Sequence, residues 1–220
     1  MRLQEIWTET QMYREYLESM ETFLQNEMQK CHEHMATFNR PSSVTAYDIK
    51  YETERFQEEI GYIEEALFLH TLEEFTNVLR KSFFVNLYAF LESRLLKGCR
   101  IKKSERVDIR LSLSDIRGQG IDKARVYLEK VLEIPFDFGP DWQEIQRYKS
   151  LRHCIVHNEG RLDEGFSDRN NALRTYVEDK DTLSLSSDGA IILSRDFCEE
   201  VLGVVQGFLE SICLKLQEGE

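Results

Sequence analysis

Apolar residues recur every three or four positions over most of the chain, which is the spacing of one face of an α-helix. Residues 3–38 keep this spacing throughout and predict one long amphipathic helix, ended by the proline and serines of Asn39–Ser43. A second helix is predicted to begin between residues 44 and 51 and to end at Lys97–Gly98, where the glycine is its expected cap. The pattern leaves room for a break near Leu72. The later half is apolar on most faces, which predicts a central position in the core.

The remainder of the chain predicts three shorter helices. Residues 121–132 show helical spacing, and a further helix begins at Pro140 and ends near Asn158–Gly160. Proline suits the first helical turn because its missing N–H would have no partner there. Residues 195–217 form the predicted C-terminal helix, with apolar residues at core spacing.

A β-hairpin is predicted at about residues 173–193, directly before the last helix. Leu173–Glu178 and Leu183–Leu193 are rich in β-forming residues, and Asp188-Gly189 is a typical hairpin turn. Only three prolines and eleven glycines interrupt 220 residues, whereas an all-β chain usually has more turn residues. We therefore predict a mainly α fold, a helical bundle with a small β-hairpin before the C-terminal helix. It is divided into an acidic N-terminal amphipathic helix, residues 1–40, and a helical domain, residues 44–220.

Composition indicates a folded protein in a reducing compartment. Hydrophobic residues make up 41% of the chain and aromatic residues 11%, more than disordered chains contain. The five cysteines never form a C-x-x-C pair, so neither a disulfide framework nor a zinc ribbon is indicated. The longest uncharged apolar stretch, Ser82–Leu91, is about half of the ~20 residues that span a bilayer, and residues 1–16 do not resemble a secretory signal. A cytoplasmic protein without a membrane partner is expected.

The net charge of −12 at first excludes nucleic acid, because an acidic surface repels phosphates. The charge is uneven, however. Residues 1–80 hold 16 acidic and 7 basic residues, whereas residues 94–110 hold seven basic and two acidic ones. This basic band, which includes Lys102 and Lys103, is either a track for an RNA backbone or an ordinary charged loop, and the sequence does not favour one over the other.

One helix end gathers side chains suited to phosphodiester chemistry. Four lie at the end itself and three basic ones lie beside them: Arg152, His153, His157 and Asn158, with Arg147, Lys149 and Arg161. A guanidinium binds a phosphate through two parallel hydrogen bonds, and an imidazole exchanges a proton near neutral pH. RNA carries its own nucleophile in the 2′-OH, so the chemistry requires neither a metal nor a cofactor. No glycine-rich nucleotide-binding motif occurs either.

The spacing of these residues raises an objection. Arg152 and His157 are five positions apart, about 140° around a helix, so they do not share a face. They could meet where the helix ends or across a dimer interface. His153 and His157 do share a face, as two zinc ligands would, but a third ligand is missing and no metal site is expected. The alternative is an ordinary helix C-terminus, where cations are favoured by the helix dipole.

The pattern Arg152-His153-x-x-x-His157-Asn158 resembles the R-x4-H motif of the HEPN superfamily (higher eukaryotes and prokaryotes nucleotide-binding domains). The resemblance extends over about residues 75–215. Tyr88–Leu95 is similar to the long helix of prokaryotic members, and Leu113–Leu128 resembles their intermediate segment. Trp142 leading into the motif, with a hairpin and a closing helix after it, is also similar.

The resemblance implies a metal-independent endoribonuclease of the toxin–antitoxin or phage-defence type. In such proteins two protomers bring their motifs into one cleft, so a homodimer acting on RNA is expected, with an antitoxin or another protein as a partner. Arg152 would hold the scissile phosphate, and His157 would transfer a proton or orient the 2′-OH. His153, Asn158 and Glu92 would be accessory, Glu92 as an inward carboxylate that fixes Arg152. The basic residues Arg147, Lys149, Arg161, Lys102 and Lys103 would bind the RNA.

Two alternatives stay open. Some members of the superfamily have lost catalysis, and such a HEPN-like module would bind or dimerise with a partner protein or bind a nucleotide, with helix 1–40 as its handle. Members paired with a nucleotidyltransferase carry a tyrosine two residues after the motif histidine. This chain has Glu159 at that position, so regulation through an AMP-modified tyrosine is not expected. The second alternative is an unrelated helical scaffold in which the motif is only a helix terminus.

Overall fold

The computed structural model describes residues 2–38, 49–106, 108–135, 139–162 and 168–218. In this part of the chain the elements follow one another in this order: α1 (Leu3–Phe38), α2 (Ile49–Glu105), a 3₁₀ turn (Leu113–Asp115), α3 (Gly120–Lys130), α4 (Gly139–Asn158), α5 (Asp168–Glu178), β1 (Leu183–Leu185), β2 (Ile191–Leu193) and α6 (Arg195–Glu218). The prediction of a mainly helical fold with a hairpin directly before the C-terminal helix is confirmed.

Helix α2 is longer than predicted. It continues without a break at Leu72, and it passes Gly98 to end at Glu105. Its buried face explains the extension, since Leu95, Cys99 and the stem of Lys102 follow one another at helical spacing and are nearly inaccessible to solvent. Gly98 is itself buried. Packing of this face therefore outweighs the cost of about 1 kcal/mol for a glycine inside a helix.

The predicted first strand of the hairpin is wrong. Leu173–Glu178 belongs to α5, where Leu173, Tyr176 and Val177 are buried at a spacing of three and four residues. Helical periodicity therefore overrides the β-forming preference of these residue types. The hairpin itself consists of β1 and β2, three residues each, with Leu183 opposite Leu193. Gly189 has a φ of +78°, as the predicted turn requires.

Two compact units make up the chain. The first comprises Met1–Leu17 and Arg80–Glu220, and the second comprises Glu18–Leu79. The first unit thus contains the start of α1 as well as the end of α2 and everything after it. The predicted end of the N-terminal helix at Asn39–Ser43, and with it the predicted division between residues 40 and 44, lies outside the described residues.

An aromatic cluster joins three helices in the core of the first unit. Phe84 of α2, Tyr148 of α4 and Phe197 of α6 are fully buried, with ring centroids 5.9–6.0 Å apart. Two of the three ring pairs are nearly perpendicular, an arrangement that aromatic pairs favour. Trp142, one turn into α4, stacks on Phe208 of α6 at 6.0 Å. These contacts fix α4, which carries the candidate motif, against the core.

In the described ranges, no helix combines the length and the apolar character that crossing a lipid bilayer requires.

Candidate functional site at the end of helix α4

Helix α4 buries one face and leaves the motif histidines on the opposite side. Ile145, Tyr148, Leu151 and Cys154 recur every three residues and are buried. His153 and His157 are exposed, and their ring centroids lie 4.5 Å apart at an interplanar angle of 49°. The predicted shared face of the two histidines is therefore present, and it is open to solvent.

The end of α4 is fixed by two successive residues in the left-handed region. Glu159 has a φ of +56° and Gly160 a φ of +76°. The Gly160 N–H donates to the Cys154 carbonyl at 3.1 Å, and Lys81 Nζ donates to the Glu159 carbonyl at 3.1 Å. The φ of Gly160 favours glycine, and a β-carbon there would lie 2.8 Å from Lys81 Nζ, so the lysine side chain would have to move. His157 and Asn158 consequently precede a rigid turn.

The hairpin supports the same turn. The Ile191 N–H donates to the Gly160 carbonyl at 2.8 Å, and the Leu162 N–H donates to the Gly189 carbonyl at 3.0 Å. Arg161 is bridged to Ala190 in an antiparallel arrangement. The backbone that follows the motif therefore extends the two-stranded sheet, which holds the helix end in one position relative to α6.

Arg152 is half-buried, and its charge acts on the hydroxyl of Tyr88 in α2. Burial raises the pKa of the Tyr88 hydroxyl, the charges of Glu92 and Asp122 raise it further, and the charge of Arg152 lowers it. The phenol therefore senses all three charged groups. Within the described part of the chain, no hydrogen bond or salt bridge holds the guanidinium of Arg152, which leaves its donors for another acceptor.

Glu92 lies against the start of α3. A β-carbon on Gly120, the first residue of that helix, would be 2.8 Å from Glu92 Oε1. Gly120 also has a φ of +59°, so glycine is required for both reasons. The Glu92 carboxylate is half-buried, and no ion pair between it and Arg152 is present among the described residues, so the role of Glu92 in fixing Arg152 stays a prediction.

Sequence reasoning missed Asp122. It lies in the first turn of α3 and forms an ion pair with Lys149 of α4, and Gln146 Nε2 donates to its Oδ1 at 3.3 Å. In the sequence, Asp122 is only an acidic residue at a helix N-terminus, where the helix dipole already accounts for it. Its contact with Lys149 spans 27 residues of chain, and no local pattern signals it.

Two further basic residues predicted to bind RNA have acidic partners within the chain. Arg147 Nη1 lies 2.8 Å from Glu144 Oε2, and its guanidinium lies over the Tyr176 ring at 5.5 Å from the centroid. Arg161 forms an ion pair with Asp188 of the hairpin turn. Hydrogen bonds from Ser186 and then Arg161 lower the pKa of Asp188 to about 2.

The predicted basic band is largely neutralised within the first unit. Lys102 is buried, and its Nζ lies 3.8 Å from Glu105 Oε2, whereas Lys103 is half-exposed. At the start of the band, Arg94 Nη2 lies 2.8 Å from Glu9 Oε1 and Lys97 Nζ lies 3.4 Å from Glu5 Oε2. The first turns of α1 therefore supply the counter-charges of the last turns of α2.

A second polar network fixes α4 nearer its start. Lys180 forms ion pairs with Glu144, at 2.9 Å, and with Glu200. Tyr176 donates to Glu144 Oε1 at 2.6 Å. Burial alone raises the pKa of Glu144, but hydrogen bonds from Tyr176, Lys180 and Arg147 outweigh it, so the carboxyl pKa lies below its ordinary value.

Arg152 and His157 lie on one unbroken helix, so the objection from their spacing stands. They are separated by about 7.5 Å along the axis and about 140° around it, and one chain does not present both on one face. As for metals, the described residues contain no cluster of three or more His, Cys, Asp or Glu side chains that could hold an ion.

No protein-family model matches the chain, and neither the curated proteins nor the solved structures provide a match.

Proposed function

We propose that the chain is a HEPN-like, metal-independent endoribonuclease of the toxin or phage-defence type, acting as a homodimer in the cytoplasm. The observation that carries the proposal is the end of α4, where Arg152, without an acidic partner in the described residues, and the exposed His157 both precede a rigid turn. This combination offers a phosphate-binding group and a proton-transfer group on a preorganised backbone.

The proposed reaction uses the nucleophile of the substrate. Arg152 binds the scissile phosphate and stabilises the charge that develops on its oxygens. His157 accepts the proton of the 2′-OH as the 2′ oxygen attacks phosphorus, and the bond to the 5′ oxygen breaks as that oxygen is protonated. The products are a 2′,3′-cyclic phosphate and a 5′-hydroxyl. No redox step or metal is required.

A second protomer would remove the objection that Arg152 and His157 lie about 140° apart around α4. If the ends of two α4 helices faced each other across a twofold axis, Arg152 of one protomer and His157 of the other would contribute to one shared cleft. In the proposed dimer, His153 and Asn158 would line this cleft. Glu92 would orient Arg152 from behind.

The first experiment measures cleavage of single-stranded RNA by the full-length protein in EDTA. We expect 2′,3′-cyclic phosphate ends, and we expect Arg152→Ala and His157→Ala to abolish cleavage while circular dichroism and the melting temperature stay unchanged. Arg117→Ala and His32→Ala, which remove exposed residues of the same types, are the matched controls. Undiminished cleavage by both motif variants would remove the proposal.

A second experiment tests the shared cleft. Arg152→Ala and His157→Ala chains are each inactive alone, but a mixed dimer retains one intact pair. After equal amounts of the two variants are mixed and exchange subunits, we therefore expect cleavage to recover to about a quarter of the wild-type rate, because half of the dimers are then mixed and each mixed dimer has one intact site out of two. Absence of recovery in a mixture shown to contain mixed dimers would contradict a site built from both protomers.

The alternative is a catalytically inactive HEPN-like module that binds a partner protein or a nucleotide. One observation favours it. Arg147, Lys149, Arg161 and Lys102 each have an acidic partner within the chain, so an RNA would have to displace these partners. This alternative predicts a stable complex with a partner and no cleavage by the wild-type protein in the assay above.

A further inference from the structure

The second unit, Glu18–Leu79, contains most of the acidity of the protein. It holds 13 Asp and Glu against 4 Lys and Arg, a net charge of −9 out of −12. The first unit holds 27 acidic and 24 basic residues and is close to neutral for its size. The negative charge of the protein is therefore concentrated in the second unit.

The same unit exposes a row of large apolar side chains on α2. Leu67, Phe68, Phe75 and Val78 are exposed by 64, 50, 44 and 56%. At 100° per residue they fall within an arc of about 100° and extend over about 17 Å of helix. Phe23 of α1 is 47% exposed, and its ring centroid lies 6.3 Å from that of Phe75 at 72°. We call these five residues the apolar face.

One acidic side chain lies next to the apolar face. Glu74 is exposed about 20° around the helix from Leu67, and it forms no salt bridge with another described residue. Glu73 is also exposed but lies on the opposite side of the helix. Single exposed apolar residues are ordinary, but a contiguous row rimmed by polar residues is typical of an interaction site. The apolar residues provide contact area. The net charge of −9 of this unit favours a positively charged partner.

The charge decides between occupants. A second copy of the chain would bring another −9 against this unit, and nucleic acids and anionic membranes are also negative, so all three are repelled. A basic amphipathic helix has the complementary properties. Its apolar residues, spaced three and four apart, would pack on the apolar face, and its Lys or Arg residues would be attracted by the acidic residues of this unit. We propose that the apolar face binds a basic amphipathic helix of a partner protein.

The test uses the full-length protein and a synthetic helix of about 18 residues, made of leucine and lysine with leucine at helical spacing. A scrambled peptide of the same composition and a leucine–glutamate helix are the peptide controls. We expect the leucine–lysine helix to bind in titration calorimetry, with an affinity that falls as salt is raised. The scrambled peptide should bind at least tenfold more weakly, and the leucine–glutamate helix should not bind.

Variants locate the binding. Phe68→Ser with Phe75→Ser should weaken the affinity at least tenfold, because central aromatic anchors dominate interface energies. Glu74→Gln should reduce both the affinity and its salt dependence while leaving the apolar residues in place. Leu111→Ser, a loss of an exposed apolar residue in the first unit, is the matched control and should not change binding.

Three results would overturn the inference. The first is that the scrambled peptide binds as tightly as the leucine–lysine helix, and the second is that the Phe68/Phe75 variant binds with wild-type affinity. The third is that the wild-type protein sediments as a dimer and this variant as a monomer, which would assign the apolar face to a second copy of the chain. The inference is independent of ribonuclease activity, since no residue of the apolar face belongs to the α4 motif.

Discussion

Gly160→Ala is expected to destabilise the first unit by about 2 kcal/mol. An alanine at a φ of +76° costs about 1–2 kcal/mol in backbone strain. Its β-carbon would lie 2.8 Å from Lys81 Nζ and 2.9 Å from Lys81 Cε, so the lysine must withdraw. Withdrawal breaks the hydrogen bond to the Glu159 carbonyl, which contributes about 1 kcal/mol. The smaller conformational entropy of alanine in the unfolded chain offsets about 0.5 kcal/mol of this cost.

Urea denaturation followed by circular dichroism measures the effect, with two controls that separate its causes. Gly139→Ala introduces alanine at a φ of +46° with no atom within 4 Å, so it reports strain alone and should cost about 1 kcal/mol. In a Lys81→Ala background the crowding is absent, and Gly160→Ala should likewise cost only about 1 kcal/mol. The reasoning fails if Gly160→Ala is no more costly than Gly139→Ala, or if Lys81→Ala leaves its cost unchanged.

Three further predictions concern other parts of the chain. Lys180→Met should lower the free energy of unfolding by about 2 kcal/mol, because it leaves the carboxylates of Glu144 and Glu200 without their shared cation; adding Glu200→Gln should restore part of the loss in urea denaturation. Asp188→Asn should lower the melting temperature at pH 7. The pKa of Asp188 is about 2 in the folded protein against about 3.9 in the unfolded chain, so its contribution is present above about pH 4, and the difference between variant and wild type should shrink as the pH falls towards 2. All five cysteines are buried, and burial raises the pKa of Cys99 to about 12. A thiol reagent at pH 8 should therefore modify the cysteines slowly in the native protein and should modify all five after unfolding. Rapid modification of Cys99 in the native protein would contradict its buried position.

Local signals in the sequence predicted most of the fold. The span of α1, the proline at the start of α4 and the Asp188-Gly189 turn each depend on a few neighbouring residues, and all three are present in the structure. The failures have a common cause. Leu173–Glu178 and Gly98 were assigned from residue preference, whereas burial against other helices decides their conformation.

The candidate site was predictable only in part, for a related reason. His153 and His157 share a face because helical periodicity requires it, and that is visible in the sequence. The partners of the charged residues are not visible there. Asp122 meets Lys149 only because α3 packs beside α4, and Glu92 approaches Gly120 only because α2 passes the start of α3. The charged groups that act on the Tyr88 hydroxyl, Glu92, Asp122 and Arg152, thus come from three helices, and only packing brings them together.

The ion pairs of the first unit change how its local charge should be interpreted. The sequence shows seven basic residues in the band 94–110, but Arg94 and Lys97 already face Glu9 and Glu5 across α1 and α2. Such partly exposed pairs contribute only about 0–1 kcal/mol each. An RNA phosphate can replace a carboxylate as the acceptor of a guanidinium, and its binding releases counterions from the RNA. Intramolecular pairing would therefore weaken the proposed RNA binding without excluding it. The basic residues with the smallest competing cost would be those without an acidic partner in the described residues, and Arg152 is one of them.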